Sequence, residues 1–356
     1  MPPIPQRSRG RVVTVLLPLC IGSLSACDIP TEVPEWDTRW VIPAESTSFA
    51  VADLLPPDIS VAAAGDAFDL QLASISFSES LREMCGACVP LDGLTVPKPP
   101  FTVSSGGELT LPNELRSAQL LGGRLDVRLQ HDLSFDPLRP SATARGYLIL
   151  TARSGSAVLA RDSLGGGTTP LPPGAVVTRI LQLQPGAISG PIEVGLTLHS
   201  PAGDPALIDM DDRLTVEVAA MQVQAADARI VVTDQVISTP AIQLELDEID
   251  EAVSGRVRGG AVHLEIDNPF EIEGTLELRI NSSAAQIVKP VEIAPGSSRS
   301  RIDLTGAEMK SILGQSDVQL SISGLASSPS EGTAVEPTDA IGLGVRLELV
   351  ISTREG

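Results

Sequence analysis

The sequence predicts an all-β protein: tandem antiparallel β-sandwich domains with one or two short helices, preceded by a lipoprotein signal peptide and a small β-rich leader. Three observations carry that expectation. Apolar and polar residues alternate over short stretches, as in strands with one buried face. Gly and Pro account for 31 and 29 of the 356 residues, which favours many turns over long helices. Four blocks of sequence recur in the same order, so one module is used twice.

At the N-terminus, Arg7, Arg9 and Arg11 precede an apolar stretch from Val12 to Leu24, too short for a lasting membrane span. The stretch ends in Leu24-Ser25-Ala26-Cys27, which resembles the bacterial lipobox. That resemblance implies cleavage before Cys27 and acylation of its thiol and amine, which makes residues 1–26 a signal peptide and 27–35 a lipidated tether. Two or three acyl chains hold a protein stably on a membrane. The location implied is the bacterial cell envelope, with inner or outer membrane left open.

Residues 36–111 form a β-rich region outside the repeat. It holds six of the nine aromatics, reads as a separate unit or as an extra sheet on the first module, and contains two strand patterns, RWVIP from Arg39 and FDLQLASISFS from Phe68. Trp36 and Trp40 either rest in a lipid headgroup zone or, more simply, plug the end of a core short of aromatics. Cys85 and Cys88 form a lone CxxC pair that lies between strands, not at the head of a helix in a βαβ pattern. Outside the cytoplasm it reads as a local disulfide closing a turn, with thiol-disulfide redox chemistry as the alternative.

The repeat begins with GGRLDVRLQHDLSF from Gly122 and GGAVHLEIDNPFEI from Gly259. Their apolar residues coincide at Leu125/Val262, Val127/Leu264, Leu129/Ile266, Leu133/Phe270 and Phe135/Ile272. PGAVVTRI from Pro173 then matches PGSSRSRI from Pro295, ISGPIEVGLTL from Ile188 matches ILGQSDVQLSI from Ile312, and DRLTVEV from Asp212 matches DAIGLGV from Asp339. The modules span 112–225 and 247–356, with 226–246 as a linking strand segment. Two helices are expected. Residues 247–258 place Ile249, Val253 and Val257 on one face before Gly259, and Thr305-Gly306-Ala307-Glu308 is a capping-box pattern that leads to Met309, Ile312 and Leu313.

In the second module a Gly-Gly pair, an alternating strand, the triplet Asn268-Pro269-Phe270 and a Pro-Gly turn resemble the type-2 late-embryogenesis-abundant domain, also called the water-stress and hypersensitive-response domain. The resemblance implies a small β-sandwich with a short helix and no catalytic residues, in a family linked to stress protection and, in some members, to lipid handling. The first module departs from it, with His131-Asp132-Leu133 at the triplet.

Lys and Arg number 25 against 45 Asp and Glu, a net charge of −20. Removal of residues 1–26 takes three basic residues and no acidic one, leaving −23. That charge argues against nucleic acid and against electrostatic docking on anionic lipid headgroups. His131, His199 and His263 have no metal-binding or catalytic spacing and read as surface residues. The calcium candidates are Asp209, Asp211 and Asp212, which lack the EF-hand order and glycine; no other metal and no cofactor is expected. The function expected is a non-enzymatic, membrane-anchored structural or binding module. Its partners would be the membrane through lipid on Cys27 and envelope proteins or an apolar ligand. A carrier of lipid or another apolar molecule is the alternative, besides the redox one.

Overall fold

The recurring blocks become equivalent strands of two sheet pairs. The structure, a computed structural model, describes residues 36–43 and 46–353, without the side chain of Glu251. The signal peptide, Cys27 and the tether lie outside the described residues.

Along the chain run β1 (Asp37–Pro43), β2 (Thr47–Ala50), β3 (Ile59–Val61), β4 (Phe68–Leu70) and β5 (Ile75–Ser80). After α1 (Leu81–Met84) come β6 (Thr95–Pro97), β7 (Phe101–Leu109), β8 (Leu115–His131), β9 (Tyr147–Ser154), β10 (Ala157–Gly165) and β11 (Val176–Leu183). Then follow β12 (Gly186–Ile188), β13 (Ile192–Ser200), β14 (Pro205–Leu207), β15 (Arg213–Ile230), β16 (Gln235–Ser238) and β17 (Ile242–Gln243). The second copy continues with α2 (Glu251–Ser254), β18 (Val257–Asn268), β19 (Glu273–Asn281), β20 (Gln286–Ile293) and β21 (Gly296–Thr305). It ends with α3 (Gly306–Ile312), β22 (Gln319–Ser327), β23 (Thr333–Val335) and β24 (Ala340–Ser352).

In the first copy one sheet runs β11-β8-β15, with β5 and then β4 pairing the other side of β15, and the second sheet runs β10-β9-β13-β7. In the second copy the sheets run β21-β18-β24-β1 and β20-β19-β22-β16. The orders superimpose strand for strand, and all the pairings are antiparallel. The fold is β-sandwich-like, as alternation predicts. All five aligned apolar pairs are buried, each residue at 6% exposure or less. Burying a Leu, Val, Ile or Phe side chain stabilises by about 1.5–3 kcal/mol, so these pairs anchor both cores. The doubled glycine that opens each repeat has a packing reason. A Cβ on Gly260 would lie 2.5 Å from the Glu348 carbonyl oxygen and 2.8 Å from Met309 Sδ, where α3 sits on β18.

The leader is not a separate unit. β1 and β2 pair with β24 of the second copy, whereas β5 and β7 complete the two sheets of the first. The boundaries at 36–111 and 226–246 are corrected accordingly, because β15 runs on to Ile230 and β16 and β17 pair with β22. The second sandwich is therefore discontinuous in sequence, and the first is inserted between its first strands and the rest. β23 of the second copy also pairs with the far end of β15, Ala228 opposite Val335, which joins the copies by main-chain hydrogen bonds.

Three local expectations change. The helix at 247–258 shrinks to α2, because Val257 pairs with Ile351 and Gly259 with Val350 across a register shift. Gly259 marks a bulge there instead of a helix end; a helix of about three turns without tertiary support nucleates poorly against an open strand edge. The pattern from Phe68 divides into β4 and β5. Trp36 and Trp40 plug no core: they are 58% and 50% exposed. The capping box at α3 forms as expected, with the Glu308 N–H donating to Thr305 Oγ1 at 3.2 Å and the Thr305 N–H to Glu308 Oε2 at 2.8 Å.

Phe49 lies on β2, is 3% exposed and belongs to the second copy's core although its sequence lies before the first. Phe49→Ala is expected to cost about 3–5 kcal/mol. Amide hydrogen exchange should quicken in β24 and stay unchanged in β9 and β13; loss of protection in β9 and β13 alone would contradict the discontinuous assignment.

Candidate functional site

Charge concentrates on the outer face of the sheet β21-β18-β24-β1. Strand pairing places His263 of β18 between Arg346 of β24 and Arg301 of β21, on one rung. One rung along, Glu265 faces Arg299, and on the other side Ala261 lies between Glu348 and Asp303. Alternation sends these side chains outward while Val262, Leu264 and Ile266 fill the core.

Glu348 holds the centre. It is 6% exposed, accepts hydrogen bonds from His263 Nε2 at 2.9 Å and Arg301 Nη2 at 3.3 Å, and lies 3.9 Å from Arg39 Nε of β1. A carboxylate withdrawn from water needs such partners. Glu265 accepts from Arg299 Nη2 at 2.7 Å and from Arg346 Nη2 at 3.2 Å. Those bonds, chiefly the one from Arg299, hold the Glu265 carboxyl below the usual carboxylate range. Between the rows lies an open hollow of about 290 Å³, bordered by Val41, His263, Arg299, Arg301 and Arg346.

The first copy serves as an internal control. Its outer rungs place Asp126 between Ala219 and Ile180, Arg128 opposite Thr178, and Met221 opposite Arg124. Aligning Asp126 with His263 through the strand registers, which shift β11 against β21 by one residue from the match of their Pro-Gly blocks, puts Thr178, Ile180, Ala219 and Met221 where the second copy has Arg299, Arg301, Arg346 and Glu348. The same sheet thus forms without those charges, so the fold does not demand them. Sequence reading missed this cluster because its members come from four strands far apart in the chain.

The residues singled out by sequence do not converge on one site. Cys85 and Cys88 form a disulfide that follows α1 and its Ser80–Glu83 capping box. The two cysteines are 1% and 0% exposed, and thiol-disulfide exchange requires a thiolate to reach a sulfur. Asp209, Asp211 and Asp212 shape the turn before β15: the Asp211 N–H donates to Asp209 Oδ1 at 3.0 Å, and the Ser134 N–H to Asp212 Oδ2 at 3.2 Å. Burial, with Asp209, Asp132 and Asp211 nearby, raises the Asp212 carboxyl above its ordinary value. Among the described residues no group of three or more His, Cys, Asp or Glu side chains gathers to hold a metal ion, so the calcium candidates form no such group. Among the described residues, too, no helix is long and apolar enough to cross a membrane.

Asn268, Pro269 and Phe270 form a structural corner. Asn268, 1% exposed, donates from Nδ2 to the Ile272 and Ala294 carbonyls at 2.9 and 3.0 Å, and its Oδ1 accepts from the Phe270 N–H at 3.1 Å. Pro269 ends the ladder and Phe270 is buried. The aligned residue in the first copy is His131. It is 3% exposed, not on the surface as expected, and donates from Nε2 to the Leu171 carbonyl at 3.1 Å. Each copy thus ties the end of its central strand to the segment before its Pro-Gly turn through one buried polar side chain. His199 lies on the first copy's other sheet, stacked with Tyr147, so the three histidines belong to three sheets.

One buried group gave no sequence signal. Lys98 is 1% exposed and donates from Nζ to the carbonyls of Pro201, Pro99 and Ser200 at 2.6, 2.8 and 3.4 Å, beneath the rings of Phe101 and Phe135. Burial pushes its pKa down to about 8. The ammonium fastens the β6–β7 turn to the end of β13, a structural use of a cation with carbonyl and ring partners.

No family model matches the chain, and no curated protein does. Among solved structures it is similar to a candidate secreted protein from Parabacteroides distasonis, at 12% identity over 88% of this chain and 99% of that chain, with a TM-score of 0.31. A second likeness is to the structure of broad bean stain virus, at 13% identity over 74% of this chain and 92% of that chain, with a TM-score of 0.19. At such TM-scores neither likeness carries an argument about this protein.

Burial lowers the His131 pKa, and its Nδ1 has no hydrogen-bond partner among the described residues to receive a proton's charge. The stability it contributes is present above the unfolded value of 6.5 and is lost as pH falls through the lower folded value. His131→Asn copies the second module's residue and removes that titration. Thermal unfolding at pH 7 and pH 5 should show a larger acid loss in the natural chain than in His131→Asn; equal losses would contradict the assignment.

Proposed function

We propose that the protein is a non-enzymatic lipoprotein of the bacterial cell envelope, anchored through acylated Cys27 and acting as a binding module. The observation that carries this reading is the Leu24-Ser25-Ala26-Cys27 lipobox after an arginine-flanked apolar stretch. A short tether then leads into β1, so acyl chains on Cys27 would hold the double sandwich close to the bilayer. Trp40 and Val41, 50% and 57% exposed on β1, follow that tether within a few residues of sequence and suit an interfacial position.

The binding part of the reading is supported by the second copy's charged face, where Arg299, Arg301 and Arg346 stand in place of the first copy's Thr178, Ile180 and Ala219. The non-enzymatic part is supported by the burial of Cys85 and Cys88, the one redox pair outside the lipobox segment and its leader. We also read both copies as type-2 late-embryogenesis-like domains, on the strength of the Asn268-Pro269-Phe270 corner and its His131 counterpart.

In cells of a lipoprotein-processing bacterium fed labelled palmitate, the natural chain should carry label into the membrane fraction. Cys27→Ser should abolish the label and release the chain from membranes. Unchanged labelling of Cys27→Ser would remove the anchor from the proposal.

A further inference from the structure

We infer that the outer face of the second sandwich, over the rung Arg346–His263–Arg301, is a binding site for a phosphate group. The inference deepens the binding-module reading and rests on it for its biological setting, but the chemistry stands on this face alone.

The first support is charge. Four guanidiniums, Arg39, Arg299, Arg301 and Arg346, gather on one sheet face beside five carboxylates, Asp37, Glu265, Asp267, Asp303 and Glu348, so positive groups cluster around His263 on a chain of net −20. The matching face of the first copy carries two guanidiniums, Arg124 on Asp126 and Arg128 on Glu217.

Unused donors are the second support. The Arg39 side chain is 67% exposed, and its nearest carboxylate oxygen, on Glu348, is 3.9 Å away, beyond hydrogen-bond range. Arg346 meets Glu265 through one Nη only, and its side chain is 56% exposed. Guanidinium forks match the oxygens of a phosphate, which offers more acceptors than the internal carboxylates and competes for the same donors.

Shape is the third support. Adjacent strands lie about 4.8 Å apart, so the Arg346 and Arg301 strands are separated by about 10 Å across His263. The hollow between them, about 290 Å³, admits a phosphate group with some of its water. Val41 at its border leaves room for an apolar continuation of the ligand. A free phosphate and a phospholipid headgroup present the same chemistry here.

The comparison between copies supplies the test. In the full chain carrying Cys27→Ser, which has no acyl anchor, the second face is given the first copy's residues: Arg299→Thr, Arg301→Ile, Arg346→Ala and Glu348→Met together. Replacing Glu348 at the same time leaves no orphaned buried carboxylate. A second variant, Arg299→Lys with Arg346→Lys, keeps the charges and loses the forks. Inorganic phosphate is titrated calorimetrically, and vesicles of phosphatidylglycerol in phosphatidylcholine are used in a flotation assay.

The Cys27→Ser chain should bind at least one of the two probes. The transplanted face should weaken that binding by about tenfold or more, and the lysine pair should give an intermediate loss. Binding of inorganic phosphate places the source among soluble phosphates, and binding of vesicles alone places it in lipid headgroups; both support the site. No binding of either probe, or equal binding by the transplanted and untransplanted chains, overturns it. Should the transplanted chain fail to fold, the lysine pair decides: binding unchanged from the parent overturns the site, and weakened binding supports it. Because no acyl anchor takes part, failure of the phosphate site and failure of the Cys27 anchor are read separately.

Discussion

The second sandwich depends on β24. This final strand is held on one side by β18 and on the other by β1 and β2, with Asp37 opposite Ser352. Chain segments some three hundred residues apart must therefore meet before that sheet is complete. Loop closure on this scale costs entropy that grows only slowly with length, but it delays the contacts that repay it. The first sandwich has no such requirement, since its strands run without interruption from β3 to β15. The pairing of β23 with the end of β15 then fixes one sandwich against the other.

Duplication separates what the scaffold needs from what was added. Both copies retain a buried aliphatic ladder along the central strand, a glycine pair where backbones approach, and a buried polar side chain at the strand's end. The last requirement has two chemical solutions. Asn268 satisfies its neighbours with an amide, and His131 does so with an imidazole that loses its fit when protonated. The outer faces diverge much further. Arg301 and Arg346 occupy places where Ile180 and Ala219 suffice for folding, so their presence asks for a reason other than stability. Exposed ion pairs stabilise by only about 0.2–1 kcal/mol each, too little to account for a dense network on one copy alone.

The fold was legible where physics acts locally. Period-two alternation in Leu125–Leu129 and Val262–Ile266 marked the central strands, and Thr305 with Glu308 marked α3, because each signal lies within a few residues. The partners of β1 were not legible: Arg39 to Ile42 read as a strand, but nothing in those residues names β24. The proposed helix around Val253 and Val257 failed for the complementary reason, since an open strand edge outweighed weak local preference. The candidate face was hidden because Arg39, His263, Arg301 and Arg346 meet only after four strands are placed in register. Lys98 gave no sign either; its carbonyl partners come from chain positions that no spacing rule connects.

The most direct measurement is a backbone-amide NMR titration of the Cys27→Ser chain with inorganic phosphate, and with phosphatidylglycerol micelles if phosphate produces no shift. The amides of His263, Arg301 and Arg346 should shift in a saturable way, while those of Asp126, Ile180 and Ala219 on the matching face of the first copy stay unmoved. Equal shifts on both faces, or none on the second with either probe, would contradict a scaffold used twice and specialised once.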